Sequence, residues 1–448
     1  MPADNRVLYT KFLANMQWNG CAALYYQTLL TGYLFWLYQQ LSPTLYGLVG
    51  TLFALLYLTV ELLDLGYEGS LAGTLTDWQS TRSAFRRGVG YSAGWQLLIL
   101  LGAASGLYFT RGACSSWFAT NFQCANLATT VWALLASLIF IEGLQKQLRA
   151  IAQLLFFHRT LALAQTLQIS LYLLLIGAGL SCRPLTPTLI FAPLLISTTL
   201  SCLIIGWQIY RYYRRLPSPA QLPLPPLFTA TYYRNRAWIY LNQLSKLIYS
   251  GNFLVISLAR LFGVTTVAPL KLAYRLASYL KYIWYHAIGL PVRTLLAQEQ
   301  RLKLAPQRLW PSIFSGSFWW QTLGLSSVSL ITVSIIAYYT NSWVGLSQLT
   351  SLLFLGLLLL ENLFLLPEQY LLITRRLYWL ALPNLATAGV LIGNYYLGPA
   401  AVCYPSYLSA AYQPQQLAYL LLSLILLRST VLVGLKLALK KTVEKSSQ

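Results

Sequence analysis

The sequence predicts an all-α polytopic membrane protein with about twelve transmembrane helices in two six-helix lobes. Of the 448 residues, 57% are hydrophobic and only 9% are charged, whereas soluble domains carry about 25% charged residues. Three segments contain no Asp, Glu, Lys or Arg: 12–60, 309–360 and 377–427. Each is long enough for a helical hairpin, because one span needs about 20 apolar residues. This composition excludes disordered chains and disulfide-framed secreted domains.

Hydropathy along the chain predicts the individual spans. They lie near residues 15–38, 45–65, 88–110, 126–146, 160–180, 187–209, 238–260, 269–292, 312–340, 346–370, 376–398 and 416–437. The first span lacks the short apolar core and small-residue cleavage site of a signal peptide, so we expect it to be a retained anchor.

Loop charges predict the orientation of the spans. With the N-terminus inside, inward-facing segments hold 23 of the 31 Lys and Arg residues, and outward loops hold four. The positive-inside rule describes this asymmetry, so both termini are expected in the cytoplasm. The net charge of +21 is thereby explained by topology, and we expect no nucleic-acid partner.

A proline-rich segment divides the spans six and six. The run LPSPAQLPLPP predicts an extended cytoplasmic linker over 211–236, between a lobe at 1–210 and a lobe at 237–448 that ends in a basic cytoplasmic tail. Because six is even, the second lobe re-enters the membrane with the orientation of the first, which predicts a parallel pseudo-repeat. Glu142 and Glu368, offset by about half the chain, each precede an Arg by seven residues, as a duplication would produce.

Motifs of enzymes and metal sites are missing from the sequence. It contains no glycine-rich phosphate loop, GxSxG elbow or HExxH motif. We therefore expect neither an enzyme, a cofactor nor a bound metal. Cys114 and Cys124 share a predicted outer loop, where a disulfide can persist; the pair is either bridged or present as two free thiols.

Charged residues inside spans are the candidate functional residues, because each costs about 2.5–3.5 kcal/mol on insertion scales. Lys246, Lys281 and Arg428 fall near the membrane midplane, and Arg275 and Arg260 lie toward the outer ends of their helices. Together these five cations predict an anionic substrate. In the alternative interpretation they snorkel to the interface or pair with acidic residues.

Two acidic residues are candidates for ion coupling. Glu61 and Glu361 lie inside or just inside the apolar layer, with no Lys or Arg within four residues in sequence. Burial raises the pKa of a carboxyl group, so either residue is able to carry a proton. Alternatively, each neutralises a buried cation on another helix.

Two stretches resemble a known superfamily. The run SPTLYGLVGTLFALLYLTVELLDLGYEGSLA, with Tyr46-Gly47 entering helix 2 and Asp64-Leu65-Gly66 leaving it, is similar to the opening of polysaccharide-unit flippases of the multidrug/oligosaccharidyl-lipid/polysaccharide superfamily. The run FLVISLARLFGVTTVAPLKLAYRLASYL resembles the helix 7–loop–helix 8 unit of the same proteins, with Gly263 in the turn.

The resemblance implies a multi-pass carrier of the bacterial inner membrane. Such a carrier moves undecaprenyl-pyrophosphate-linked oligosaccharide, of the O-antigen and lipopolysaccharide type, to the outer leaflet by alternating access around a cationic cavity. Its partners would be that substrate, the bilayer and other polysaccharide-assembly membrane proteins. The alternatives are a multidrug or lipid II exporter of the same superfamily, or a membrane polysaccharide polymerase or ligase.

Overall fold

The computed structural model describes most of the N-terminal two thirds of the chain. The described residues are 3–74, 81–122, 127–181, 184–217, 230–248, 250–265, 268, 271, 275, 278–279, 282–301, 381, 384–386 and 388–389. Every element among them is a helix, which agrees with the predicted all-α class. The helices are α1 Ala3–Gln40, α2 Pro43–Leu63, α3 Tyr67–Thr74, α4 Arg82–Phe109, α5 Arg111–Phe122, α6 Thr129–Leu154, α7 His158–Leu180, α8 Pro187–Arg215, α9 Ala230–Ile248, α10 Gly251–Phe262 and α11 Leu290–Arg301. A π-helical turn, Tyr285–Gly289, leads directly into α11, and a second, Arg86–Gly90, lies inside α4.

Capping residues fix several helix starts. Ser42 caps α2, its hydroxyl accepting from the Leu45 amide at 3.3 Å, and Thr186 caps α8 in the same way. In both helices a proline follows the cap, where its missing N–H costs nothing. Ser250 similarly caps α10, so the predicted seventh span is interrupted between α9 and α10.

Five helices among the described residues are long and apolar enough to cross a membrane: α2, α4, α6, α7 and α8. The protein is therefore a multi-pass membrane protein. Helix α1, which contains the first predicted span, is more polar because its protein-facing side carries buried polar residues. These are Asn15, Asn19, Gln27 and Thr31.

Several boundaries differ from the sequence prediction. Helix α6 continues to Leu154, eight residues beyond the predicted end of span 4, and the short helices α3 and α5 occupy predicted loops. The linker predicted at 211–236 is helical at both edges, because α8 extends to Arg215 and α9 begins at Ala230. All spans predicted after residue 301 fall almost entirely outside the described residues, so the count of twelve remains a prediction.

The main apolar core joins helices from both sides of the linker. Helix α8 packs extensively on α6 and α7. Trp132, Phe191 and Leu52 are among the largest buried side chains of this core, and Val255 of α10 extends it into the C-terminal half. Within a membrane such side chains stabilise the core through close van der Waals packing, because lipid is as apolar as the core itself.

Helix α2 contacts the C-terminal half at both of its ends. At its start, a Cβ added to Gly47 would overlap the carbonyl oxygen of Val264. After its end, Leu65 and Gly66 both have positive φ, and a Cβ at Gly66 would lie 2.6 Å from the Arg236 carbonyl oxygen. Only glycine permits these backbone approaches without strain.

Candidate functional site

A cavity of about 510 Å³ lies between the two halves, beside α2. Its walls come from α1, α2 and α6 on one side, and from the segment between residue 252 and α11 on the other. Charged side chains line it unevenly. They are Glu61, Glu68, Glu142, Lys146, Arg149, Lys271 and Arg275.

One end of the cavity, near the start of α2, is cationic. Lys271 and Arg275 are both helical residues and lie four apart in sequence, the spacing at which helical side chains are neighbours. The Lys271 ammonium donates to the Asn252 amide oxygen at 3.4 Å, and Arg275 donates to the amide oxygen of Gln27. Among the described residues, no carboxylate forms an ion pair with Lys271. This end can accept an anion.

A polar network holds Arg149 at the middle of the cavity. Its guanidinium donates to the Gln168 side-chain oxygen at 2.8 Å, which also accepts from Gln145 at 2.7 Å. Gln168 donates in turn to Thr198 at 2.9 Å, and Thr198 donates to Glu142 at 3.0 Å. Because each member has a hydrogen-bond partner within the network, the network orients Arg149.

Aromatic side chains form another part of the cavity wall. The rings of Tyr26 and Tyr282 stack with centroids 6.1 Å apart, and Tyr282 lies 4.0 Å from the ring of His286. Tyr57 and Phe53 of α2 also line the cavity. Flat rings with hydroxyl groups at their edges provide both stacking surfaces and hydrogen-bond donors.

The other end of the cavity, at the α2–α3 turn, contains an ion-pair cluster. The Lys146 ammonium lies 2.6 Å from Glu61, 3.8 Å from Asp64 and 3.9 Å from Glu68. Asp64 is buried and also accepts from Gln243 of α9 at 3.1 Å. One lysine of the N-terminal half thus neutralises part of a three-carboxylate cluster.

Arg293 of α11 completes this cluster from the C-terminal half. Its guanidinium donates to the Glu68 carboxylate at 3.0 Å and to the Glu68 carbonyl at 2.7 Å. Burial alone would raise the pKa of Glu68, but the charges of Arg293 and Lys146 outweigh burial and lower that pKa below its usual value. Glu68 is therefore a carboxylate at neutral pH.

The structure places the predicted site residues in different surroundings. Arg275 and Glu61 line the cavity, and the Glu61–Lys146 contact favours the neutralising interpretation of Glu61. Lys246 and Arg260 do not line the cavity, and Arg260 is exposed at the end of α10. Lys281, Arg428, Glu361 and Cys124 lie outside the described residues, so their predicted roles, including a Cys114–Cys124 bridge, remain untested.

Sequence reasoning misses three cations that line the cavity, two of them on α6. The loop-charge count assigns Lys146 and Arg149 to an inward-facing segment and Lys271 to an outward one, yet all three line the cavity. The spacing of Glu142, Lys146 and Arg149 places them on one helical face, a signal that identifies them once the helix is extended past residue 146. In the described part of the chain, no group of His, Cys, Asp and Glu has the arrangement of a metal site.

Solved structures share this architecture. The chain is similar to a multidrug resistance MATE family transporter of the MOP superfamily in an outward-facing conformation, with a TM-score of 0.60 and 14% identity over 98% of this chain and 97% of that chain. The chain has the MATE transporter fold. Further similar structures are a MATE in complex with Br-NRF (TM-score 0.58, 13% identity, 95% of each chain) and a MATE in the straight conformation (0.57, 14%, 98% and 97%). No family model matches the sequence, and a search of the curated proteins finds no match.

Proposed function

We propose that this chain is a membrane transporter that carries an anionic, lipid-linked oligosaccharide across the bacterial inner membrane by alternating access. The observation that carries the proposal is the cationic end of the cavity. A buried ammonium is costly unless it is compensated, and Lys271 has only an amide oxygen as a described polar partner. A phosphate group bound between Lys271 and Arg275 would supply the missing negative charge.

The remaining cavity wall suits a saccharide attached to that phosphate. Stacked Tyr26 and Tyr282 provide flat surfaces for sugar rings, and the Tyr57 hydroxyl and the amides of Gln27 and Gln145 provide hydrogen-bonding groups. The fold of known transporters supports the transport role.

Export of organic cations, as by a multidrug transporter, is the second candidate function. It is favoured by the MATE fold and by the three glutamates that line the cavity. However, Glu61 and Glu68 already form ion pairs, and Glu142 accepts from Thr198. An organic cation would have to displace these contacts, so we prefer the anionic substrate.

Complementation tests the proposal and separates the two candidates. The chain is expressed in strains that lack a lipid-linked oligosaccharide flippase, and accumulation of the lipid-linked intermediate is measured. We expect rescue by the unmodified protein and loss of about tenfold or more of export in Lys271→Gln, because a hydrogen bond to a charged group contributes about 1.5–3 kcal/mol.

Arg260→Gln is the matched control, since it removes a cation that is exposed and outside the cavity. It should export normally at equal membrane abundance. Equal export by Lys271→Gln and the unmodified protein would refute the anion site. Failure to rescue any strain, together with efflux of organic cations, would establish the multidrug alternative instead.

A further inference from the structure

The ion-pair cluster at the α2–α3 turn is divided between the two halves of the molecule. On the N-terminal side, Glu61, Asp64 and Glu68 face the single ammonium of Lys146, which leaves a formal charge of −2. On the C-terminal side, Arg293 and Arg236 reach the same turn and carry a formal charge of +2. The contact is therefore neutral only while the halves touch.

The Glu68–Arg293 pair lies at a boundary between two cavities. A small pocket adjoins the large one, and Glu68, Ala150, Gln153 and Leu290 line both. Arg293 lines the small pocket but not the large cavity. Separating Arg293 from Glu68 would therefore join the small pocket to the large cavity at this end.

Lys146 is placed to replace Arg293 as the partner of Glu68. Its ammonium is already 3.9 Å from Glu68 Oε2, whereas Arg293 donates to the other carboxylate oxygen, Glu68 Oε1, at 3.0 Å. A shift of about 1 Å would bring that contact to normal hydrogen-bond length. Glu68 would then retain a cationic partner after the halves separate, which avoids the cost of an uncompensated buried charge.

We propose that Glu68 and Arg293 form an electrostatic latch that closes this end of the cavity, and that Lys146 becomes the partner of Glu68 when the latch opens. The latch is independent of the identity of the substrate, although its role in a transport cycle rests on the proposed function. High ionic strength favours the open state, because salt screens the two charged faces once they are separated, whereas it screens the buried closed pair only weakly.

Thiol accessibility tests the latch without any transport substrate. A single cysteine is introduced by Ala150→Cys into a variant that lacks the native cysteines, and its labelling by a hydrophilic thiol reagent is measured in membrane vesicles of both orientations. Glu68→Gln and Arg293→Gln should each raise labelling from one side about tenfold, equivalent to about 1.4 kcal/mol. Arg293→Lys, which keeps the charge, should raise it less.

Arg82→Gln is the matched control. Arg82 donates to the carbonyl oxygens of Arg214 and Leu216 within the N-terminal half, so its loss should leave labelling of residue 150 unchanged. Unchanged labelling in both Glu68→Gln and Arg293→Gln would overturn the latch.

A cross-linking experiment covers the case in which the charge variants fold poorly. Glu68→Cys and Arg293→Cys are added to the Ala150→Cys variant and joined by a short bifunctional thiol reagent at low salt, where residue 150 is protected. Cross-linking should hold residue 150 at its low labelling rate even at high salt, and should stop export if the proposed function is right. A salt-dependent rise in labelling that survives cross-linking would exclude the latch, whatever the substrate.

Discussion

The positive charge of Lys146 compensates the negative charges of the carboxylates around it. Three carboxylates lie within 4 Å of its ammonium, and its side chain is only 17% exposed. Asp64 and Glu68 flank a turn fixed by the positive φ of Leu65 and Gly66, so they cannot easily move apart. The positive charge of Lys146 therefore stabilises the turn by offsetting the repulsion between these carboxylates.

Replacing this lysine should destabilise the protein. Removing one partner of a buried ion pair typically costs about 3–5 kcal/mol, and we expect the lower end for Lys146→Gln because the Glu61 side chain is 42% exposed. Thermal unfolding in detergent measures the loss. The double variant Lys146→Gln, Glu61→Gln should recover part of it, because the two residues are coupled.

Arg159→Gln provides the comparison for this variant. Arg159 is exposed and lies 5.1 Å above the ring of Trp18, an interaction of about 0.5–1 kcal/mol at exposed sites. If Lys146→Gln unfolds at the same temperature as Arg159→Gln, Lys146 does not stabilise the turn.

The sequence reveals these residues only in part. Hydropathy ends a span where charges begin, so it places the cations of α6 in a loop although the helix continues through them. Their partners, Glu61 and Glu68, come from positions about eighty residues away, and no local pattern contains that pairing. By contrast, Arg275 and Glu61 are identifiable from the sequence, because each interrupts an otherwise apolar helix.

At the scale of elements, α2 connects the two halves, because it contacts the C-terminal half at both of its ends. The Tyr46-Gly47 and Asp64-Leu65-Gly66 motifs, recognised in the sequence by resemblance, lie at its two contacts with the C-terminal half. At the first, Thr44 and Thr265 also share a hydrogen bond of 3.2 Å. A glycine at each contact allows the backbones to approach, and the cavity lies between the two contacts.

Gly47→Ala should open the first contact. The added methyl group would overlap the Val264 carbonyl oxygen, so α2 and the turn after α10 must separate. We expect faster labelling of a single cysteine at Val49, a cavity residue near this end, and reduced export. Labelling from inside-out and right-side-out vesicles measures the effect and its side.

Gly32→Ala is the control for this substitution, because nothing lies within 4 Å of a Cβ added there. It should leave labelling unchanged and, as a glycine-to-alanine change in a helix, stabilise the protein by about 0.5–1 kcal/mol. Equal labelling in Gly47→Ala and Gly32→Ala would show that the close approach at Gly47 has no role in closure.

At the scale of the whole molecule, the first six predicted spans coincide with helices. The prediction succeeds there because each apolar run is bounded by charges, prolines or capping residues. It fails where a helix is too short or too polar to resemble a span, as in α3 and α5. The break between α9 and α10 also escapes it, because Ser250 caps a helix inside an apolar run.

The predicted orientation can be tested directly. In a variant without native cysteines, single cysteines at positions 211–236 should not react with an impermeant thiol reagent in intact cells, because the charge asymmetry places this segment in the cytoplasm. Native Cys114, kept alone, is the control, since it lies in a predicted outer loop. Labelling of the 211–236 segment from outside would contradict the orientation and the paired six-span arrangement.

The π-helical turn at Tyr285–Gly289 determines where two arginines point. Arg275 and Arg293 are 18 residues apart, which is five turns of an α-helix with 3.6 residues per turn, so a regular helix would align them on one face. The additional residue of a π turn rotates the succeeding helix by about 100°. Arg275 therefore lines the large cavity, whereas Arg293 reaches Glu68. One inserted residue thus allows two arginines with helical spacing to serve two sites at once, and removing it would put them back in phase, leaving one site without its cation.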